Sequence, residues 1–367
     1  MESTRRDWLK KIGLGAATMG LARLGANAMP AKHFFHYNSS DLPIKLSSNE
    51  NPYGPSPMAI TAMMENIQIS NRYNWQLTSD LMNALGEKHK LSADNILLAA
   101  GSTEILDVIA RYAALSKGNF IVPDPSYNYW ADVPEKLGLK KINVPLTADK
   151  KIDLAAMLRA IDSDTRLIYI CNPNNPTGTV CEKEALENFV REATKNAIVL
   201  VDEAYLDYTD QPSLSKMVTE NKNQVIAKTF SKIYGMAGAR VGYALAHAST
   251  IEHLSEMQTW ANGSVSVASA AGALAALKDE KFVADAAASN VKVKAFTIQN
   301  LEKLQLTCIP SYSNFIYFSL ANYKKDFFQQ LKDHNILGTK IYEDEGRWTR
   351  ITVGKMEEMQ SFINAVS

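Results

Sequence analysis

The sequence predicts an α/β protein: a large domain built on a mostly parallel sheet, followed by a smaller α+β domain. Two observations carry this. Short runs rich in Val, Ile and Leu recur along the first two thirds of the chain, each the length of a strand buried on both faces. Helical patterns separate several of them, and a repeated strand–helix order is the signature of a parallel sheet. With 46% hydrophobic residues over 367 positions, the chain has ample material for more than one core.

At the start, "TRRDWLKKIGLGAATMGLARLGANAMPA" pairs Arg5 with Arg6 ahead of an apolar stretch from Ile12 to Leu21, and Ala26-Asn27-Ala28 offers a small-residue cleavage site. The stretch is too short for a helix to span a bilayer. It resembles a twin-arginine export signal over residues 1–31, which when used sends a folded protein to the periplasm or outside the cell; unused, it leaves the protein cytoplasmic. Residues 32–56 read as an extended arm, with Pro52, Pro55 and Pro57 against a regular helix.

The large domain is expected over 57–258. Its strand candidates are "NILLAA" (95–100), "NFIVPD" (119–124), "RLIYICN" (166–172), "AIVLVDE" (197–203), "QVIAKTF" (224–230) and "VGYALA" (241–246); "TEILDVIARYAALS" and "CEKEALENFVREATK" are helices between them. The small domain, 259–367, holds an Ala-rich helical region (260–304), the strands "NFIYFSL" and "WTRITVG", and a closing helix "KMEEMQSFINAV".

Chemistry-bearing residues follow the apolar runs. The run at 95–100 leads to Gly101-Ser102-Thr103, and 119–124 to Pro125-Ser126-Tyr127. The run at 166–172 leads to "NPNNPTG" with Asn175, 197–203 to Asp202 and Tyr205, and 224–230 to Thr229, Ser231 and Lys232, with Arg240 beyond. In a parallel sheet these positions share one edge, where ligands bind. Each has a task if the ligand is a phosphorylated pyridine aldehyde. Lys232 is the amine that condenses with it, and Asp202 keeps the ring nitrogen protonated so that the ring acts as an electron sink. Asn175 and Tyr205 hydrogen-bond the ring oxygen, and Tyr127 covers the ring face. Ser102 and Thr103 at a helix start, with Thr229, Ser231 and Arg240, grip the phosphate.

Other classes fare worse. Lys+Arg and Asp+Glu balance at 39 each, with no basic stripe for nucleic acid. Cys171, Cys181 and Cys308 form no CxxC pair, and the six histidines show no ligand spacing, so neither a disulfide framework nor a metal site is expected. A nucleotide-binding protein is a distant alternative: "GMAGARVG" is not Gly-x-Gly-x-x-Gly, and no Gly-x-x-x-x-Gly-Lys-[Ser/Thr] occurs.

The segments "NENPYGPSP", "GSTEIL", "PNNPTG", "DEAY", "TFSKIYGMAGARVG", "SNF" and "RITVG", in this order between residues 49 and 354, resemble the fold-type I pyridoxal-phosphate enzymes of aminotransferase class I/II, and most closely histidinol-phosphate aminotransferases. The resemblance implies a seven-stranded-type sheet, pyridoxal 5'-phosphate as cofactor, and catalytic Lys232 (the Schiff-base lysine), Asp202 and Tyr205. It implies Tyr73, in "NRYNWQLTSDL", reaching the phosphate across a homodimer interface. It further implies that Arg350 binds the anionic group of the substrate and that Asn49 and Tyr53 lie on an arm folded over it. The expected reaction moves an amino group between an amino acid or amino-alcohol phosphate and a 2-oxo acid such as 2-oxoglutarate; a decarboxylase or lyase with the same cofactor is the alternative. The sequence departs from the family near the substrate, with Lys355-Met356 after "RITVG" and Asn74 after Tyr73.

Overall fold

The computed structural model describes residues 42–367; the export signal expected over 1–31 and the arm as far as residue 41 lie outside the described residues. The large sheet has seven strands: β2 (Ile96–Ala99), β3 (Asn119–Asp124), β4 (Lys140–Pro145), β5 (Thr165–Cys171), β6 (Ile198–Asp202), β7 (Gln224–Thr229) and β8 (Gly242–Ala246), ordered β2-β8-β7-β6-β5-β3-β4. Only β8 runs against its neighbours β2 and β7; the other pairings are parallel. The C-terminal ends of β2, β3, β5, β6 and β7 therefore meet along one edge. Strand β4 has no counterpart among the apolar runs. It is an edge strand with exposed polar positions at Lys140 and Asn143, and only Val144 of it is buried.

The fully apolar strands are explained by their two covered faces. Along β5, Leu167 and Tyr169 join one buried cluster while Ile168 and Ile170 join the other; along β7, Val225 and Ala227 alternate with Ile226 in the same way. Three helices that matter here are α1 (Pro57–Asn66), α2 (Trp75–His89) and α3 (Ser102–Ala113). Pro57, read with Pro52 and Pro55 as set against a regular helix, opens α1 instead. Its missing N–H falls where a helix leaves donors unpaired, and the Ser56 side chain accepts from the Ala59 N–H.

The Ala-rich region is two helices, α8 (Val267–Lys278) and α9 (Glu280–Lys303), parted at Asp279, which caps the second; α4–α7 are Asn128–Lys136, Leu154–Arg159, Lys183–Ala193 and Ala248–Met257. The core of the large sheet continues through Ala270, Ala273, Ala276 and Ala286, whereas Val293 and Leu301 of α9 belong to a third cluster. The change of core thus lies inside α9, beyond residue 259. The third cluster backs a four-stranded sheet of β9 (Cys308–Ile309), β10 (Phe315–Ser319), β12 (Ile341–Glu343) and β13 (Trp348–Thr352), ordered β12-β13-β10-β9. The arm belongs to this side as well: β1 (Ile44–Lys45) pairs in parallel with β11 (Ile336–Leu337), and Leu46 is buried in the third cluster. A half-buried ion pair, Lys150 Nζ to Glu343 Oε2 at 2.7 Å, ties the loop after β4 to β12.

Beyond β1 the arm passes against the loop that carries Lys232. Gly235 in that loop has φ +68°, and a Cβ there would overlap the Gly54 carbonyl. Gly235→Ala is expected to cost about 1–3 kcal/mol and to free the arm. Thermal unfolding and protease cleavage near residue 54 measure both effects.

Candidate active site

The strand ends build a cavity of about 260 Å³ lined by Ser102, Thr103, Tyr127, Asn175, Asp202, Tyr205, Thr229, Ser231, Lys232 and Arg240. Ten residues proposed from sequence on five strand–loop units are thus brought together.

One end of the cavity is shaped to hold an anion. Helix α3 starts here behind Gly101, and no side chain caps its first turn. Arg240 crosses over this start: its Nη1 donates to Ser231 Oγ at 3.2 Å and its Nη2 to the Ala100 carbonyl at 3.2 Å. The approach is so close that a Cβ on Gly101 would overlap the Arg240 guanidinium, and one on Gly242 would overlap the backbone of Gly101 and Ser102. Thr229 Oγ1 accepts from the Ser231 N–H at 3.0 Å, which turns the chain after β7. Free N–H groups, hydroxyls and a guanidinium around one hollow suit a phosphate.

At the centre, Asp202 is 4% exposed. Its carboxylate accepts from Tyr169 Oη at 3.0 Å and from the Ala204 N–H at 3.0 Å. Burial pushes its pKa up to about 6 despite those donors. Tyr205 Oη accepts from Asn49 Nδ2 at 3.0 Å and Asn175 Nδ2 at 3.3 Å, and its ring meets Phe315 edge-on. Lys232 Nζ lies 5.3 Å from the Tyr205 ring centre and donates to the Ser48 carbonyl at 3.3 Å. Burial, then the positive charge of Arg350, lowers its pKa to about 8.

Arg350, on β13, stands behind the cavity lining rather than in it. Its Nη1 donates to Asn175 Oδ1 and its Nη2 to the Ser47 carbonyl. The guanidinium carbon sits 5.3 Å from both the Phe315 and Tyr342 ring centres, and Nε, although buried, has no partner. A buried guanidinium next to the site with one donor unpartnered suits an anion entering beside Asn175. Asn49, 1% exposed, holds the back of the site through Tyr205 and Thr352.

Four expected residues do not line the cavity: Asn49 and Arg350 stand just behind it, and two lie farther off. Tyr53 is 41% exposed and does not line the cavity. Tyr73 is 72% exposed and packs on Trp75 and Trp260, away from its own chain's cavity. Conversely, Ser48, Glu50, Cys171, Ala204 and Ala237 line the cavity, and Tyr169 supports Asp202, without having been singled out. Ser48 and Glu50 flank Asn49 in the arm and were discoverable from that neighbour; Tyr169, on the face of β5 shared with Cys171, gave no such signal.

Amine, buried carboxylate, ring-oxygen donors and anion cradle fit pyridoxal 5'-phosphate, and on this sheet they define a pyridoxal-phosphate-dependent transferase. The chain belongs to the aminotransferase class I and II family, whose profile matches residues 43–366. It is 34% identical to a histidinol-phosphate aminotransferase from Moorella thermoacetica over 328 residues, covering 88% of this chain and 84% of that one. A second histidinol-phosphate aminotransferase, from Caldicellulosiruptor saccharolyticus, is also 34% identical, over 88% of this chain and 90% of its own. The crystal structure of the Sinorhizobium meliloti histidinol-phosphate aminotransferase in complex with pyridoxal-5'-phosphate superposes with a TM-score of 0.81 at 25% identity, covering 89% of this chain and 90% of that one. The protein is a pyridoxal-phosphate-dependent aminotransferase.

The lysine state sets a pH dependence. A protonated amine cannot attack an aldehyde, so in the apoprotein condensation with pyridoxal phosphate speeds up as pH rises through about 8. Stopped-flow absorbance measures it; a midpoint near the ordinary lysine value of about 10.4 would contradict the site's description.

Proposed function

We propose that the protein takes an amino group from a donor bearing an anionic group and gives it to a 2-oxo acid such as 2-oxoglutarate, the donor being an amino acid or an amino-alcohol phosphate of the histidinol-phosphate kind. The observation that carries the donor class is Arg350, buried between two aromatic rings directly behind the cavity residue Asn175, with Nε unpartnered. The relatives named histidinol-phosphate aminotransferase support the phosphate form of the donor.

When bound, pyridoxal phosphate supplies an electron sink that acidifies the donor Cα–H. The chain's own groups do the rest. Lys232 takes the proton from Cα, helped by a pKa already brought near neutrality. Asp202 holds a proton on the ring nitrogen. Tyr205, steadied by Asn49 and Asn175, and Tyr127 orient the ring. The α3 start, Thr229, Ser231 and Arg240 anchor the phosphate so that Cα stays within reach of Lys232. Arg350 turns the donor by its anionic end.

A homodimer with shared sites is part of this reading. Tyr73 is exposed with Trp75 and Trp260, and Met58, Ile60, Met64 and Ile67 on and beside α1 are exposed too. A second copy covering this apolar surface would bring Tyr73 to its partner's phosphate cradle.

Lys232→Ala is expected to abolish turnover, whereas Arg350→Gln raises KM for anionic donors about 10–100-fold with a smaller change in kcat. Steady-state rates over a panel of amino donors with 2-oxoglutarate measure this; an unchanged KM for every donor would remove Arg350 from the substrate site. Tyr73→Phe should weaken pyridoxal-phosphate binding in a protein that sediments as a dimer, by about 1 kcal/mol. Equilibrium dialysis beside analytical ultracentrifugation reads it.

A further inference from the structure

Directly behind the site lies an ion pair that the reaction does not use. Lys228, on β7, and Glu203, just after β6, are 4% and 2% exposed at their side chains, with Nζ to Oε2 at 3.1 Å. Asp207 Oδ2 stands 4.0 Å from the same Nζ. The other Glu203 oxygen accepts from the Leu214 N–H at 3.0 Å, so the carboxylate is fully engaged. Burial pulls the Lys228 pKa down, but Asp207 and Glu203 outweigh it and hold the amine charged.

Its place in the chain is the point. Asp202 pairs in register with Ala227, so Glu203 and Lys228 are the next residues on adjacent strands. The Glu203 N–H donates to the Ala227 carbonyl at 2.9 Å, and the Leu206 N–H to the Glu203 carbonyl at 3.1 Å. Asp202 and Tyr205 flank one partner; Thr229, Ser231 and Lys232 follow the other. Lys228 lies between Ala227 and Thr229 and faces away from the cavity, toward the Ile226 side of the sheet. Burying two ions is costly, and a well-packed apolar pair of equal size is often as stable or more so, so stability alone does not account for the pair.

We propose that the Lys228–Glu203 pair is a positioning unit for the site: it locks β6 to β7 one residue beyond Asp202 and so fixes the Asp202 carboxylate against the Lys232 loop. Neither residue touches the cavity; both act through their neighbours.

The test uses Lys228→Met, Glu203→Gln and the double variant, with Leu331→Ala, in the distant third core, as a control for lost stability. Apoprotein affinity for pyridoxal phosphate is read by tryptophan fluorescence, and the pH midpoint of the bound cofactor's absorbance by spectroscopic titration. The proposal expects folded single variants to bind about tenfold more weakly and to shift the midpoint by about one unit, while Leu331→Ala lowers the unfolding temperature with both readouts unchanged. The double variant, free of a stranded charge, regains stability but not the midpoint; it is read alone if the single variants do not fold. Wild-type affinity and midpoint in the folded double variant, or equal shifts in Leu331→Ala, overturn the proposal. Wild-type protein that fails to bind pyridoxal phosphate would instead refute the cofactor assignment.

Discussion

The site depends on keeping its charges apart from one another. Lys232, Asp202 and Arg240 line one crevice with Arg350 just behind it, yet none of the ion pairs among the described residues includes any of them. Asp202 is satisfied by a tyrosine and a backbone N–H, Arg240 by a hydroxyl and carbonyls, and Lys232 by a carbonyl. Neutral partners leave each charge available to a ligand. Burial then tunes the two titrating groups in opposite directions, the carboxyl upward and the amine downward, as site groups often are.

Such an arrangement needs a rigid frame, and the sheet provides it. Five strands end at one edge, their central positions packed on both faces, so the loops beyond them start from fixed points. The arm completes the crevice from the other side, and the second domain packs behind it. Arg350 comes from β13, Phe315 from β10, and Ser47, Ser48 and Asn49 from the arm, which is itself paired to β11. The arm therefore lines the site through Ser48 and Glu50, while the small domain backs it through Phe315 and Arg350.

Much of this was legible in the sequence because the large sheet is buried on both faces: its inner strands must be continuous apolar runs, and the residue after each run falls at the ligand edge by topology alone. Lys232, Asp202, Tyr205 and Asn175 were found that way, and Arg240 by its spacing from Lys232. What periodicity could not show were elements whose residues do not follow that rule. Strand β4 is polar on its open side, and Pro57 reads equally well as arm or as helix start. Tyr169 looks like core because its ring is core, and only its hydroxyl belongs to the site. Tyr73 and Tyr53 came from resemblance, and nothing in a single chain's cavity demands them.

The most direct measurement is borohydride reduction of the protein loaded with pyridoxal phosphate, followed by peptide mass spectrometry. The account predicts a single stable label, on the Lys232 side chain, blocked when a good amino donor is added first. A label on another lysine, or none on Lys232 at full cofactor occupancy, would contradict it.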